Sequence, residues 1–140
     1  MNADIQLVED NSGDAELTIR TLRKNGAANK ITHQKDGAQL LDYLFGFNRE
    51  PAGHLLSLIL LDIKMPKVDG LEALARIRQE ANTKMIPVIV FGPSEDHPDI
   101  GKALILRANS YIIKPLDLSG FLKALERLDQ NWLSFSVVKI

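Results

Sequence analysis

The sequence predicts an α/β protein built on a parallel sheet, and three observations carry that expectation. Five short apolar runs alternate with five stretches of helical periodicity, the order that successive strand–helix units produce. The run Leu58-Ile59-Leu60-Leu61 is apolar throughout, as a central strand buried on both faces must be. Three of the runs end on charged residues, Glu9-Asp10, Asp62 and Lys114, and the carboxyl ends of parallel strands share one edge of an open sheet.

Ile5 to Val8 is the first strand. Asn11-Ser12 can cap the helix that follows, Asp14 and Glu16 suit its positive end, and Ala15, Ile19 and Leu22 form its apolar stripe. Asn25-Gly26 stops it. Lys30 to Gln34 reads as an edge strand, and Asp36-Gly37 turns the chain into a helix carrying Leu40, Leu41, Leu44 and Phe45. Gly46 to His54 is a loop, the central strand at Leu58–Leu61 follows, and Asp69-Gly70 opens a helix with Leu71, Leu74 and Ile77. Pro87 to Phe91 is the fourth strand, stopped by Gly92-Pro93. Pro98 to Leu106 is the fourth helix and Ser110 to Ile113 the fifth strand. Phe121, Leu125, Leu128 and Trp132 mark the last helix, and residues 134–140 form an apolar tail.

The 140 residues, 45% hydrophobic and 25% charged, suit one globular domain. A net charge of −1, with no basic run, argues against a nucleic-acid or membrane-surface binder. The absence of cysteine excludes disulfides, thiolate metal sites and a cysteine nucleophile, and fits a reducing, cytoplasmic setting. No signal peptide or membrane-length apolar run is visible.

Glu9 and Asp10 are adjacent where the first strand turns, so both side chains can approach one point. Alone, such a doublet is an ordinary surface feature. Together with Asp62 at the neighbouring strand end it makes three mutually repelling carboxylates, a cluster that a cation relieves. Oxygen ligands without histidine or cysteine favour Mg2+ or Mn2+. Lys114 would stand opposite, either as a structural salt bridge or as a point-charge clamp on a phosphoryl oxygen. The Lys114-Pro115 bond is open to either isomer.

In this order and spacing, the segments Leu7-Val8-Glu9-Asp10-Asn11, Ile59 to Pro66, Asp69-Gly70 and Tyr111-Ile112-Ile113-Lys114-Pro115 resemble the receiver domain of two-component response regulators. The resemblance covers essentially the whole chain. Glu9 to Glu16, Leu41 to Gly46 and the Trp132 tail are further similar to single-domain regulators that partner phytochrome-type histidine kinases.

The resemblance implies a flavodoxin-like (βα)5 fold, its five-stranded sheet in the order 2-1-3-4-5 with helices on both faces. It implies a single receiver over residues 1–140 with no output domain. Asp62 would accept a phosphoryl group from the histidine of a sensor kinase. Glu9 and Asp10, with Asp62 and the backbone carbonyl of Lys64, would hold Mg2+. Lys114 would grip the phosphoryl group and Tyr111 would be the aromatic switch residue. Signalling would run through contact with a downstream protein, and a homodimer would place tail 134–140 in its interface. No enzymatic turnover is implied beyond slow autodephosphorylation.

One position departs from the family pattern. Gly92 falls where receivers carry a threonine or serine whose hydroxyl bonds the phosphoryl group, and Ser94 lies two residues on. A hydrogen bond to a charged group contributes about 1.5–3 kcal/mol, so coupling between acceptor and switch should be altered. The alternatives are a degenerate receiver that binds partners independently of phosphorylation and a Mg2+-dependent phosphohydrolase. The second lacks an acid two residues after Asp62 and sequence for a substrate cap. His33, His54 and His97 share no metal-ligand spacing, and no nucleotide-cradling glycine motif is present.

Overall fold

The computed structural model describes residues 4–24, 30–46, 57–63, 69–94, 97–115 and 117–126. The Asn25-Gly26 helix stop, the Lys64 carbonyl, His54, Trp132 and the tail at 134–140 lie outside those residues.

Five strands, β1 (Asp4–Val8), β2 (Ile31–Gln34), β3 (Ser57–Asp62), β4 (Val88–Gly92) and β5 (Ser110–Ile113), form one sheet in the order β2-β1-β3-β4-β5. All neighbours pair in parallel, with Val8 opposite Leu61, Asp62 opposite Phe91 and Gly92 opposite Ile113. Between them run α1 (Ser12–Lys24), α2 (Gly37–Phe45), α3 (Gly70–Gln79) and α4 (Pro98–Ile105), and α5 (Leu118–Glu126) follows β5. The strand order is the one implied by the family resemblance.

Alternation along the strands divides the core in two. Ile5, Leu7, Leu58, Leu60, Ile89 and Phe91 pack under Ala15 and Leu22 of α1 and Phe121 and Ala124 of α5. Val8, Ile59, Leu61, Val88 and Val90 pack under α2, α3 and α4. Glu9 and Asp62 continue the first series, so both point to the face covered by α1.

Side chains set the helix starts. Asn11 Oδ1 accepts the Asp14 N–H at 2.9 Å, Asp36 Oδ1 that of Gln39 at 2.8 Å and Asp69 Oδ1 that of Glu72 at 2.9 Å, the N-cap arrangement. Gly70 answers to a tighter demand. A Cβ there would lie 2.5 Å from the Asp62 carbonyl oxygen and 2.6 Å from Ile63 Cα, so only glycine lets α3 start this close to the end of β3.

One boundary is corrected. β4 runs one residue further than expected, through Gly92, which pairs with Ile113 and whose carbonyl accepts the Lys114 N–H at 3.0 Å. The inward side of α3 also includes Arg78. Its guanidinium donates to the carbonyls of Arg107, Lys84 and Ile86 and to Asn109 Oδ1 at 2.8–3.2 Å. Asn109 Oδ1 also accepts the Val88 N–H, and Arg107 adopts a positive φ of 70°. One side chain thus ties together the segments that enter β4 and β5. Burial lowers the Arg78 pKa to about 10, which leaves it charged at neutral pH.

Arg78→Ala would strand several acceptors at once and is expected to cost about 2–4 kcal/mol. Urea unfolding followed by circular dichroism measures this, and a loss under 0.5 kcal/mol would deny the residue its role.

Candidate functional site

The carboxyl edge of the sheet gathers the charged residues that terminate β1, β3 and β5. Lys114 leaves β5 through a cis peptide bond to Pro115, the isomer the sequence left open. Its ammonium lies 2.7 Å from Glu9 Oε1 and 3.0 Å from Asp62 Oδ2. Carboxylate oxygens of Glu9, Asp10 and Asp62 lie within 4.8 Å of one another. Glu9 and Asp62 are buried, whereas Asp10 is exposed. The expected constellation of Glu9, Asp10, Asp62 and Lys114 therefore comes together in one place.

Backbone contacts fix the Glu9 corner. Its N–H donates to the Gln34 carbonyl at 3.0 Å, its Oε2 accepts the Asn11 N–H at 3.2 Å, and its carbonyl lies 2.7 Å from His33 Nε2 on β2. His33 is thus a positioning residue for this turn, a role that a histidine within a strand gives no sequence sign of. Asp14 was also legible only as a helix-terminal acid. Its carboxylate lies 3.6 Å from Lys114 Nζ, a meeting across most of the chain length that local pattern cannot foretell.

Burial pushes the Glu9 carboxyl up from 4.5 to about 7; Asp62 adds to the shift and Lys114 opposes it. Burial also works against the charge on Lys114, but its bonds to Glu9 and Asp62 outweigh this and hold it above 10.5. The lysine is therefore cationic while the carboxylates around it remain short of positive charge. An oxygen-only donor set fits a hard divalent cation such as Mg2+.

Tyr111 is half-buried on β5, opposite Val90, at the margin of the core under α2–α4. Gly92 is buried, and a Cβ there would meet Ile100 Cδ1 at 2.7 Å and Cγ1 at 3.0 Å, with Ile63 Cδ1 at 3.4 Å. The volume a side chain would need is filled from α4. Ser94 is exposed, and its carbonyl accepts the His97 N–H at 3.2 Å. His97 Nδ1 caps α4 by accepting the Asp99 N–H at 3.1 Å.

A parallel five-stranded sheet in this order, with carboxylates and a lysine at its carboxyl edge, defines a response regulator receiver domain. The family model for the response regulator receiver domain matches residues 5–126, and the chain belongs to that family. Among curated relatives, the probable methanogenesis regulatory protein FilR2 of Methanothrix harundinacea is 35% identical over 132 residues, 94% of this chain and 84% of that protein. Response regulator Rcp1 of Synechocystis is 31% identical over 129 residues, 92% and 88% of the two chains.

Solved structures are similar to the same extent. The bacteriophytochrome response regulator AtBRR superposes with a TM-score of 0.78 at 35% identity, covering 91% of this chain and 93% of that one. The phosphorylated cyanobacterial phytochrome response regulator RcpA gives 0.73 at 33%, covering 96% of each. The Mn2+-bound form of Rcp1 gives 0.71 at 29%, covering 99% of each. The chain is thus related to phytochrome response regulators. Receiver domains serve two-component signalling, interact with histidine kinases and bind divalent metal ions. No helix among the described residues is long and apolar enough to cross a membrane.

Because Glu9 binds its proton more tightly folded than unfolded, its contribution to metal-free stability is fully present below about pH 4.5 and is lost as pH rises to about 7. Lys114, raised above 10.5, stays protonated throughout this window. In EDTA, the Tm of the wild type is expected to drop by a few degrees more than that of Glu9→Gln between pH 5 and pH 8. Parallel profiles in a thermal melt series would contradict the raised Glu9 pKa.

Proposed function

We propose that this receiver takes a phosphoryl group onto Asp62 from a histidine of a sensor kinase, in the cytoplasm, and signals through protein contacts. The supporting observation is the convergence of Lys114 on Glu9 and Asp62, with Asp10 in reach, at the edge where the sheet meets solvent. The phosphorylated state of the relative RcpA and the Mn2+-bound state of Rcp1 support the same reading.

An Asp62 carboxylate oxygen forms a bond to phosphorus as the N–P bond of the phosphohistidine breaks. The imidazole nitrogen keeps the electron pair and takes a proton. Repulsion between an anionic nucleophile and an anionic donor is the main obstacle, so positioning and fixed positive charge do most of the work. Lys114, already held 3.0 Å from Asp62 Oδ2, needs only a small shift to bond a phosphoryl oxygen. Glu9, Asp10 and Asp62, with the Lys64 carbonyl, would hold Mg2+, which supplies charge neutralisation and in-line orientation when bound. Burial of Glu9 and its bond to Lys114 keep that lysine from swinging into solvent.

The product adds roughly two negative charges, and Gly92 offers no hydroxyl to receive them. The close packing of Ile100 on Gly92 favours an output that does not run through residue 92. The same contact is the one observation in favour of a phosphorylation-independent binding module.

Incubation with acetyl phosphate and Mg2+ should add the mass of one phosphoryl group to the intact chain, and Asp62→Asn should abolish the gain. An unmodified wild type with Mg2+ present leaves only the binding-module reading.

The junction of β4 and α4 has its own test. Gly92→Ser is expected to cost about 1–2 kcal/mol through overpacking, and Ile100→Val in the same chain should recover most of it. A double-mutant cycle by urea unfolding measures the coupling. Strict additivity would mean that Ile100 does not restrict residue 92.

A further inference from the structure

Beside the acidic cluster, on the face covered by α1, lies a cavity of about 230 Å³ that the phosphoryl-transfer reading does not use. Its apolar lining is Phe91, which is 2% exposed, Leu17, which is 49% exposed, and the exposed Pro115. Its polar lining is Asp14 and Thr18 from α1, with Glu9 and Lys114 of the acidic cluster.

Thr18 is the unusual member. It is 8% exposed, on the side of α1 that faces the sheet. A threonine inside a helix commonly sends its hydroxyl back to the carbonyl four residues earlier, and Thr21 does so, bonding the Leu17 carbonyl at 2.9 Å. Thr18 does not, and among the described residues its hydroxyl meets no partner. Buried hydroxyls are seldom left unsatisfied, and this one borders open space.

Asp14 supplies a second polar point. Its carboxylate is half exposed and 3.6 Å from Lys114 Nζ, beyond a hydrogen bond, so its acceptor capacity is largely unspent. Asp14 and Thr18 are four residues apart and stack on one side of α1. They therefore offer an acceptor and a hydroxyl, side by side, in a cavity that Phe91 also lines. The volume exceeds the roughly 150 Å³ of an apolar cavity that takes benzene, so one ring fits and a drug-sized molecule does not.

We propose that this cavity binds a small planar azole: a ring with an N–H that donates to Asp14, an adjacent nitrogen that accepts from Thr18, and faces packed between Phe91 and Leu17. This inference goes beyond the phosphoryl-transfer reading and stands without it.

The probe is pyrazole, which is neutral and carries both polar atoms, set against N-methylpyrazole, which has lost the donor. Titration into the full chain with Mg2+ present, followed by amide NMR shifts, should perturb residues 14–18, 91 and 114 with millimolar affinity. N-methylpyrazole should bind at least fivefold more weakly. Thr18→Val, of equal shape, should weaken pyrazole several-fold at unchanged Tm, and Asp14→Ala, which removes the acceptor, should do the same if Thr18→Val fails to fold. Equal binding of the two probes, indifference to both substitutions, or shifts absent at saturating pyrazole, which would leave water only in the cavity, would each overturn the proposal. Phosphorylation by acetyl phosphate, scored on the same samples, reports on the Asp62 reading separately.

Discussion

Charge balance at the carboxyl edge of the sheet is the constraint on which the site depends. Two carboxylates, Glu9 and Asp62, are buried within reach of a single ammonium, that of Lys114. One positive charge cannot neutralise two negative ones. Burial above all, with Asp62 adding to it, raises the pKa of Glu9, and Asp10 adds a third carboxylate from the solvent side. The cluster carries more carboxylate than its one ammonium balances, an excess of the kind that a divalent-ion site requires. A second lysine would satisfy the carboxylates permanently and close the site to metal. Fewer carboxylates would leave nothing to hold one.

The opposite end of the sheet is held differently. There, Arg78 donates to four neutral oxygens from the segments leading into β4 and β5, and Thr83 Oγ1 donates to the Ile77 carbonyl at 2.7 Å. The entries to β4 and β5 are thereby tied together by one buried side chain. The carboxyl ends keep unspent electrostatics. Natural folds commonly place such local frustration at functional sites and compensate for it elsewhere, and here the compensation has a residue number.

Much of this was legible in the sequence because strand alternation and end residues obey local rules. The uninterrupted apolar run of β3, the acids closing β1 and β3 and the Lys114-Pro115 step together gave the sheet and the pocket. The strand order came from family resemblance, not from the residues, since local pattern does not say which strands are neighbours. Arg78 drew no attention in the sequence because arginine reads as a surface residue, and only three-dimensional closure brings it four acceptors. His33 and Asp14 were missed for a related reason: each acts on a residue distant in sequence through a backbone carbonyl or a side-chain ammonium. Gly92 was noticed as a lost hydroxyl, but the sequence could not reveal that Ile100 had moved into its place.

The start of α3 bears on how Asp62 behaves mechanically. Most couplings between a helix and a distant carboxylate pass through side chains, which can absorb a displacement by rotating to another rotamer. Gly70 has no side chain, and the groups beside it are the carbonyl of Asp62 and the Cα of Ile63. Nothing at that contact can swing aside. Helix and strand end meet there as two rigid bodies, so a push on the first turn of α3 toward the sheet is delivered to the Asp62 backbone without slack.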